Sequence, residues 1–209
     1  MRTAKIVGGK ESEVNEYPWQ VALYTPQLSY PKCGGSLISD LWILSAAHCI
    51  GDTVSSDWTA RLGEHDLNVN EESDHVDALI ILIVQHPQYD PNYNGFLHMP
   101  NFDFALLKMG KAIDFLVHPH IRPVCLPNFD DSFYENSVAI VTGWGVTDFD
   151  DEERPSSLME VNLNVLSNNA CKETGYSKDQ ISEQMLCANV VGGGKDACNG
   201  DSGTILFYV

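Results

Sequence analysis

Positive charge is scarce in this chain: 12 Lys and Arg stand against 29 Asp and Glu, a formal net charge of −17 over 209 residues. Such a field repels nucleic acid and anionic membrane surfaces and draws in cationic groups, and it keeps a protein soluble in an extracellular fluid. Long apolar runs are missing too. The longest, Ala78-Leu79-Ile80-Ile81-Leu82-Ile83-Val84, is far too short to span a bilayer and reads as a buried strand. Met1-Arg2-Thr3-Ala4-Lys5 has no apolar core and is not a secretion signal. No Asn-x-Ser/Thr acceptor, internal repeat or low-complexity segment occurs. The histidines at 65, 75, 86, 98, 118 and 120 show no zinc-site spacing with Cys or Glu and read as solvated loop residues. With 44% hydrophobic and 20% charged residues, disorder is excluded.

Helical pattern is nearly absent; Asn168–Thr174, capped by Ser167, is the one short candidate. Strand-length runs between turn signals recur instead, at Gln20–Tyr24, Gly35–Ile38, Trp42–Ser45, Ala78–Val84, Phe104–Lys108, Val138–Thr142 and Leu158–Leu166. In the last, Val161, Leu163 and Val165 alternate with Glu160, Asn162 and Asn164, the signature of a half-buried strand. Many short strands in a chain of this length argue an all-β fold of one domain or two small ones. Six cysteines point to an oxidising compartment without fixing their pairing. Two loops are strongly acidic, Glu71–Asp74 and Asp148–Glu153, and a long connection runs from Asp90 to Asn101 just before Asp103.

Chemistry concentrates in Cys198-Asn199-Gly200-Asp201-Ser202-Gly203. A serine between glycines on a tight turn holds its hydroxyl forward, with backbone N–H groups beside it to bind an oxyanion. Alone that signal is weak. Here it follows Ala46-Ala47-His48-Cys49, Asp103-Phe104-Ala105-Leu106-Leu107 and Gly143-Trp144-Gly145 in order, and Ile6-Val7-Gly8-Gly9 opens the series. From Ile6 to Gly203 the chain resembles the trypsin/chymotrypsin-like serine proteases.

The resemblance implies two packed antiparallel six-stranded Greek-key barrels. It also implies a serine-type endopeptidase with Ser202 as nucleophile, His48 as base and then acid, and Asp103 holding the imidazole. The N–H groups of Gly200 and Ser202 would form the oxyanion hole. Asp196 would floor a pocket for Arg or Lys side chains, because an apolar guest leaves a buried carboxylate unpaired; Ala197 beside it would favour Arg over Lys. Cleavage after Lys5 would free the α-amino group of Ile6 to pair with Asp201, ordering an oxyanion hole that is unformed in the uncut chain. Two disulfides are implied, Cys33–Cys49 and Cys171–Cys187, each closing about 16 residues and worth roughly 3 kcal/mol. Cys125 would tether a propeptide or light chain, and Cys198 would lack its usual later partner. Glu64, Asp66, Val69 (through its carbonyl), Glu71 and Asp74 resemble a calcium loop, and a merely solvated acidic loop explains them equally well. No cofactor is implied for the chemistry.

After Gly203 the family pattern continues with Gly-Pro, whereas this chain reads Thr204-Ile205-Leu206-Phe207-Tyr208-Val209. The expectation is therefore a remnant activation segment at 1–5 and a peptidase domain at 6–209 whose second barrel is incomplete, with low activity. The expected partners are protein or peptide substrates, an activating protease and protein inhibitors, in an extracellular setting, with neither nucleic acid nor membrane. A non-catalytic protease-like binding protein is the competing reading. An α/β-hydrolase esterase fails on chain order, since there the serine precedes its Asp and His.

Overall fold

The computed structural model describes residues 9–69, 72, 74–92, 100–127, 134–146, 154–174, 180–189 and 201–207. The first strand, β1 (Lys10–Glu11), lies apart from the first barrel and pairs later in the chain. The barrel itself is built from β2 (Gln20–Tyr24), β3 (Cys33–Leu37), β4 (Trp42–Ser45), β5 (Thr59–Leu62), β6 (Val76–Gln85) and β7 (Ala105–Met109). They close antiparallel in the order β2-β3-β4-β7-β6-β5, so no strand edge is left open. Alternate residues fill its interior: Val21 and Leu23, Ile43, Ala60 and Leu62, Leu107 and Met109, in one buried cluster with Trp58.

Two sequence expectations change here. The apolar run at 78–84 is a strand but not a buried one. Ala78 and Ile80 face inward, while Leu79, Ile81, Leu82 and Val84 are exposed on the outside of the barrel. A closed barrel has one inside, so a continuous apolar run must show half of itself to solvent. A short helix, α1 (Ala47–Ile50), also follows β4 unannounced by any pattern, because one turn is too short to display a period.

The second half is a sheet in which β9 (Met159–Leu166) is central. It pairs with β8 (Val138–Gly143) along its length, with β1 at its start and with β10 (Cys187–Asn189) at its end. Met159, Val161, Leu163 and Val165 are buried as the alternation requires. Glu160 breaks that pattern by being buried as well. The expected helix forms as α2 (Asn168–Lys172), with Ser167 Oγ accepting the Ala170 N–H at 3.1 Å.

The segment after Gly203 is used structurally. Phe207 bridges Ile140 of β8 through N–H···O bonds of 2.7 and 3.1 Å. Its ring packs against Tyr17 and Trp19, centroids 5.1 and 5.2 Å away. Phe207, Tyr17, Ala22, Trp144 and Leu158 form a small core where the sheet meets the barrel. Thr204, standing where the resemblance expects glycine, packs its side chain over Gly34, where a Cβ would overlap its hydroxyl.

Candidate active site

His48 sits on α1, directly after the strand β4 that ends at Ser45. Its turn is tied down by the Cys33–Cys49 disulfide, which joins α1 to β3. Asp103 lies on the bend leading into β7 and gives both carboxylate oxygens to the same residue. Oδ1 accepts the His48 backbone N–H at 2.8 Å and Oδ2 lies 2.6 Å from Nδ1. With both oxygens engaged, the ring cannot rotate freely. The Nδ1–H tautomer is favoured, which leaves Nε2 as the basic nitrogen.

The bend before Asp103 is locally built. Phe102 has a left-handed φ of 51°, which a bulky side chain adopts only where its surroundings hold it. They do: Asn101 Oδ1 accepts the Phe102 N–H at 3.1 Å and the Ser182 hydroxyl at 2.9 Å, and the Phe102 ring stacks on His86 at 4.8 Å. Asn101, Phe102 and Ser182 carry no motif of their own, so sequence reasoning passed over them.

Ser202 occupies the turn that faces α1. Its carbonyl accepts the Gly34 N–H of β3 at 2.8 Å and lies 3.6 Å from Cys49 Sγ, the sulfur that is itself 3.8 Å from His48 Nε2. The disulfide thus forms a shared floor under both residues. The turn closes with Thr204 N–H to the Asp201 carbonyl at 3.1 Å, and Gly203 takes φ 86°. A Cβ at Gly203 would approach the Gly34 carbonyl to 2.5 Å, so position 203 requires glycine twice over.

Asp201 points the other way, into the interior, where it is only 4% exposed. Its Oδ1 accepts the Gly145 N–H at 2.8 Å. A Cβ at Gly145 would lie 2.6 Å from the carboxyl carbon and both oxygens, and one at Gly143 would overlap Oδ1. The Gly143-Trp144-Gly145 motif is therefore a backbone cradle for the carboxylate next to Ser202. Two glycines spaced around a tryptophan were the signal, and their partner was not readable from it.

Both implied disulfides are formed, Cys33–Cys49 and Cys171–Cys187, while Cys125 is exposed and free. Cys33, Cys49 and His48 bring their side-chain donors within 4.8 Å of one another, but both sulfurs are spent in the disulfide and offer no thiolate to a metal. Lys5, Ile6, Gly200, Asp196, Ala197, Cys198 and Glu71 lie outside the described residues.

Each remaining carboxylate of the acidic-loop set has a partner of its own. Glu64 is buried, with Oε1 on the His65 N–H at 3.0 Å and Oε2 within 3.3 Å of both Arg61 Nη1 and His75 Nδ1. Asp66 Oδ1 caps the Asn68 N–H at 2.9 Å, and Asp74 Oδ2 lies 3.4 Å from His118 Nδ1. Arg61 also makes a two-pronged pair with Asp77 at 2.7 and 2.9 Å, which holds the Asp77 carboxyl below the usual carboxylate range.

Among the described residues no helix is long and apolar enough to cross a membrane. Comparison with known proteins gives a family and a set of relatives. Residues 6–207 match the family described as Trypsin. The chain is 36% identical over 207 residues to the serine proteinase stubble of Drosophila melanogaster, covering 95% of this chain and 25% of that protein. It is 33% identical over 217 residues to the proclotting enzyme of Tachypleus tridentatus, covering 96% and 54%. Among solved structures, neuropsin, a serine protease expressed in the limbic system of mouse brain, superposes with a TM-score of 0.80 at 29% identity, over 96% of this chain and 82% of that one. The chain thus spans between about a quarter and a half of the length of these two sequence relatives.

Proposed function

Because this chain belongs to the trypsin family of serine proteases, we propose that it is a serine endopeptidase whose triad is Ser202, His48 and Asp103. The observation that carries this reading is the double grip of Asp103 on His48, with Ser202 facing the same disulfide. A serine hydroxyl is a weak nucleophile until a neighbouring base takes its proton as it attacks. His48 Nε2 is the basic nitrogen, and the imidazolium formed as the proton arrives is stabilised by Asp103 across 2.6 Å. The carbonyl oxygen becomes an oxyanion under the N–H groups of Gly200 and Ser202, and His48 returns the proton to the leaving amine. Water then repeats the sequence on the acyl-enzyme and regenerates Ser202. No step calls on a cofactor.

Substrate choice follows from Asp196, whose carboxylate would receive an Arg or Lys side chain. Two disulfides suit an extracellular setting, where protein substrates, an activating protease and protein inhibitors are the partners. The exposed thiol of Cys125 suits attachment to a propeptide or light chain.

Calcium finds no support in the described part of the acidic loop. Calcium needs several free oxygens at 2.3–2.6 Å, whereas one oxygen of Glu64 accepts the His65 N–H and the other faces the Arg61 guanidinium and the His75 ring. The loop reads as one held by its own cation, Arg61. Millimolar calcium or a chelator is expected to leave the Tm unchanged. Arg61→Met should lower stability by about 2 kcal/mol, since it strands the Asp77 and Glu64 carboxylates. Thermal unfolding of both proteins with and without calcium checks this, and a calcium-dependent rise in Tm of the unsubstituted protein would restore the metal.

The reading of Lys5–Ile6 as the activation bond has its own test. Treatment with trypsin is expected to produce a new N-terminal Ile6, found by sequencing, together with a rise in hydrolysis of chromogenic arginine peptides. Lys5→Gln should block both. The same rise in Lys5→Gln would reject that bond.

A further inference from the structure

Alternation along β9 places Glu160 on its wet face, yet the residue is 5% exposed. Each of its carboxylate oxygens is taken by a residue from the beginning of the chain. Oε1 lies 3.0 Å from Lys10 Nζ, and Oε2 accepts the Tyr17 hydroxyl. Lys10 and Glu160 are also register partners in the β1–β9 pairing. The next residues continue the attachment. Glu11 Oε1 lies 3.4 Å from Nε2 of the buried His65, and the Ser12 N–H and hydroxyl both donate to the Leu158 carbonyl at 3.0 and 3.1 Å. The His65 carbonyl accepts from Trp144 Nε1 at 2.9 Å. Trp144 precedes the Gly145 N–H that holds Asp201. A continuous set of contacts joins residues 10–12 to the carboxylate beside Ser202.

A carboxylate buried on a strand is costly unless both partners are present. Its burial on β9 therefore favours the state in which β1 is docked. We propose that Glu160, gripped by Lys10 and Tyr17, is a positioning residue for activation: it fixes β1, whose first residue Lys10 is only four positions in sequence from Ile6, and so raises the effective concentration of the Ile6 ammonium at Asp201. This rests on the reading of Lys5–Ile6 as the activation bond. A short leash from a fixed point gives its free end a high effective concentration at the target, and a looser anchor lengthens the leash and dilutes the end. The anchor touches neither Ser202 nor His48, so it sets how many molecules are switched on rather than how each one works.

The anchor also holds through the pH range in which an α-amino group titrates. The hydrogen bond to Glu160, followed by its charge, holds Lys10 above the usual ammonium range, with Glu13 and Glu16 adding to the effect. Burial, then the Glu160 contact, pushes the Tyr17 phenol well above its usual range, Glu16 contributing again. Alkaline loss of activity therefore reports the Ile6 ammonium rather than the anchor.

The experiment compares the unsubstituted protein with Lys10→Met, Lys10→Arg and Glu160→Gln after cleavage by trypsin. It measures the N-terminal sequence, the fraction of Ser202 labelled by a serine-reactive probe, kcat per labelled site, KM, and the alkaline midpoint of kcat/KM. Lys10→Met and Glu160→Gln should each lower the active fraction roughly threefold to tenfold, with kcat per site and KM unchanged. The alkaline midpoint should move to lower pH, because a weaker insertion equilibrium protects the ammonium less. Lys10→Arg should recover most of both. Should Glu160→Gln fail to fold, Lys10→Met at its exposed position decides alone. A cut at Ile6 with Lys10→Met matching the unsubstituted protein in active fraction and midpoint overturns this inference and leaves the activation bond standing. Activity without a new Ile6 terminus overturns both.

Discussion

Ser202→Ala is expected to lower kcat on arginine peptides by about six orders of magnitude while leaving the fold intact. Its effect is separable from folding because the residue's structural contact is its carbonyl, which accepts from Gly34 at 2.8 Å and survives the substitution. His48→Ala should cost nearly as much, and the double variant little more than either single one, since the two groups act on one proton. Asp103→Asn should lose about 10⁴-fold, because an amide on His48 Nδ1 favours the tautomer with the proton on Nε2. Matched Tm values alongside these losses assign the residues to chemistry. A Ser202→Ala protein retaining a tenth of the activity would remove Ser202 as the nucleophile, whereas an unsubstituted protein cut at Ile6 and still inactive would leave a binding protein built on a protease fold.

Much of this arrangement was legible because the informative features are local. The order of His48, Asp103 and Ser202, each inside a short motif, carries the resemblance, and a short motif keeps its meaning wherever the chain runs. The strand at Leu158–Leu166 was readable from Val161, Leu163 and Val165, since period-2 alternation needs no knowledge of neighbours. Burial was harder to read. The run at 78–84 looks buried on hydropathy, yet closure of the barrel turns Leu79, Ile81 and Val84 outward. Glu160 looks exposed on charge, yet Lys10 and Tyr17 arrive from some 145 residues earlier to satisfy it. In both cases the deciding partner is distant in sequence, and no window along the chain contains it.

The same limit applies inside the site. Gly143 and Gly145 were visible as a motif, but their meaning is the Asp201 carboxylate that occupies the space of their missing side chains. Asn101 and Ser182 have no readable signal at all. They shape the bend before Asp103 through one hydrogen bond that spans 81 positions of sequence. Position 204 was readable as a departure from the family pattern. Its accommodation was not, because it depends on Gly34 leaving room across the barrel wall.

Asp196→Ser is expected to lower kcat/KM for arginine peptides by about four to five orders of magnitude, the scale at which a buried polar partner discriminates. Asp196 lies six positions before Ser202, in Gly194-Lys195-Asp196-Ala197-Cys198, where the family members that cut after Arg or Lys carry an aspartate. A guanidinium entering an apolar pocket surrenders its water, and only a carboxylate at the floor repays that cost. On the proposed reading, binding energy collected there would also set the scissile carbonyl against Ser202, so both kcat and KM should suffer. Two controls separate pocket chemistry from damage to the turn. Hydrolysis of a phenylalanine peptide, expected to be negligible in the unsubstituted protein, should rise relative to the arginine peptide in Asp196→Ser. The rate of Ser202 labelling by a small uncharged serine-reactive probe should change little, since that probe does not use the pocket floor. Comparison of arginine, lysine and phenylalanine peptides on both proteins decides the matter, with arginine ahead of lysine as the small Ala197 implies. An unsubstituted protein that cleaves after phenylalanine as readily as after arginine would take Asp196 out of the pocket and the arginine/lysine specificity with it.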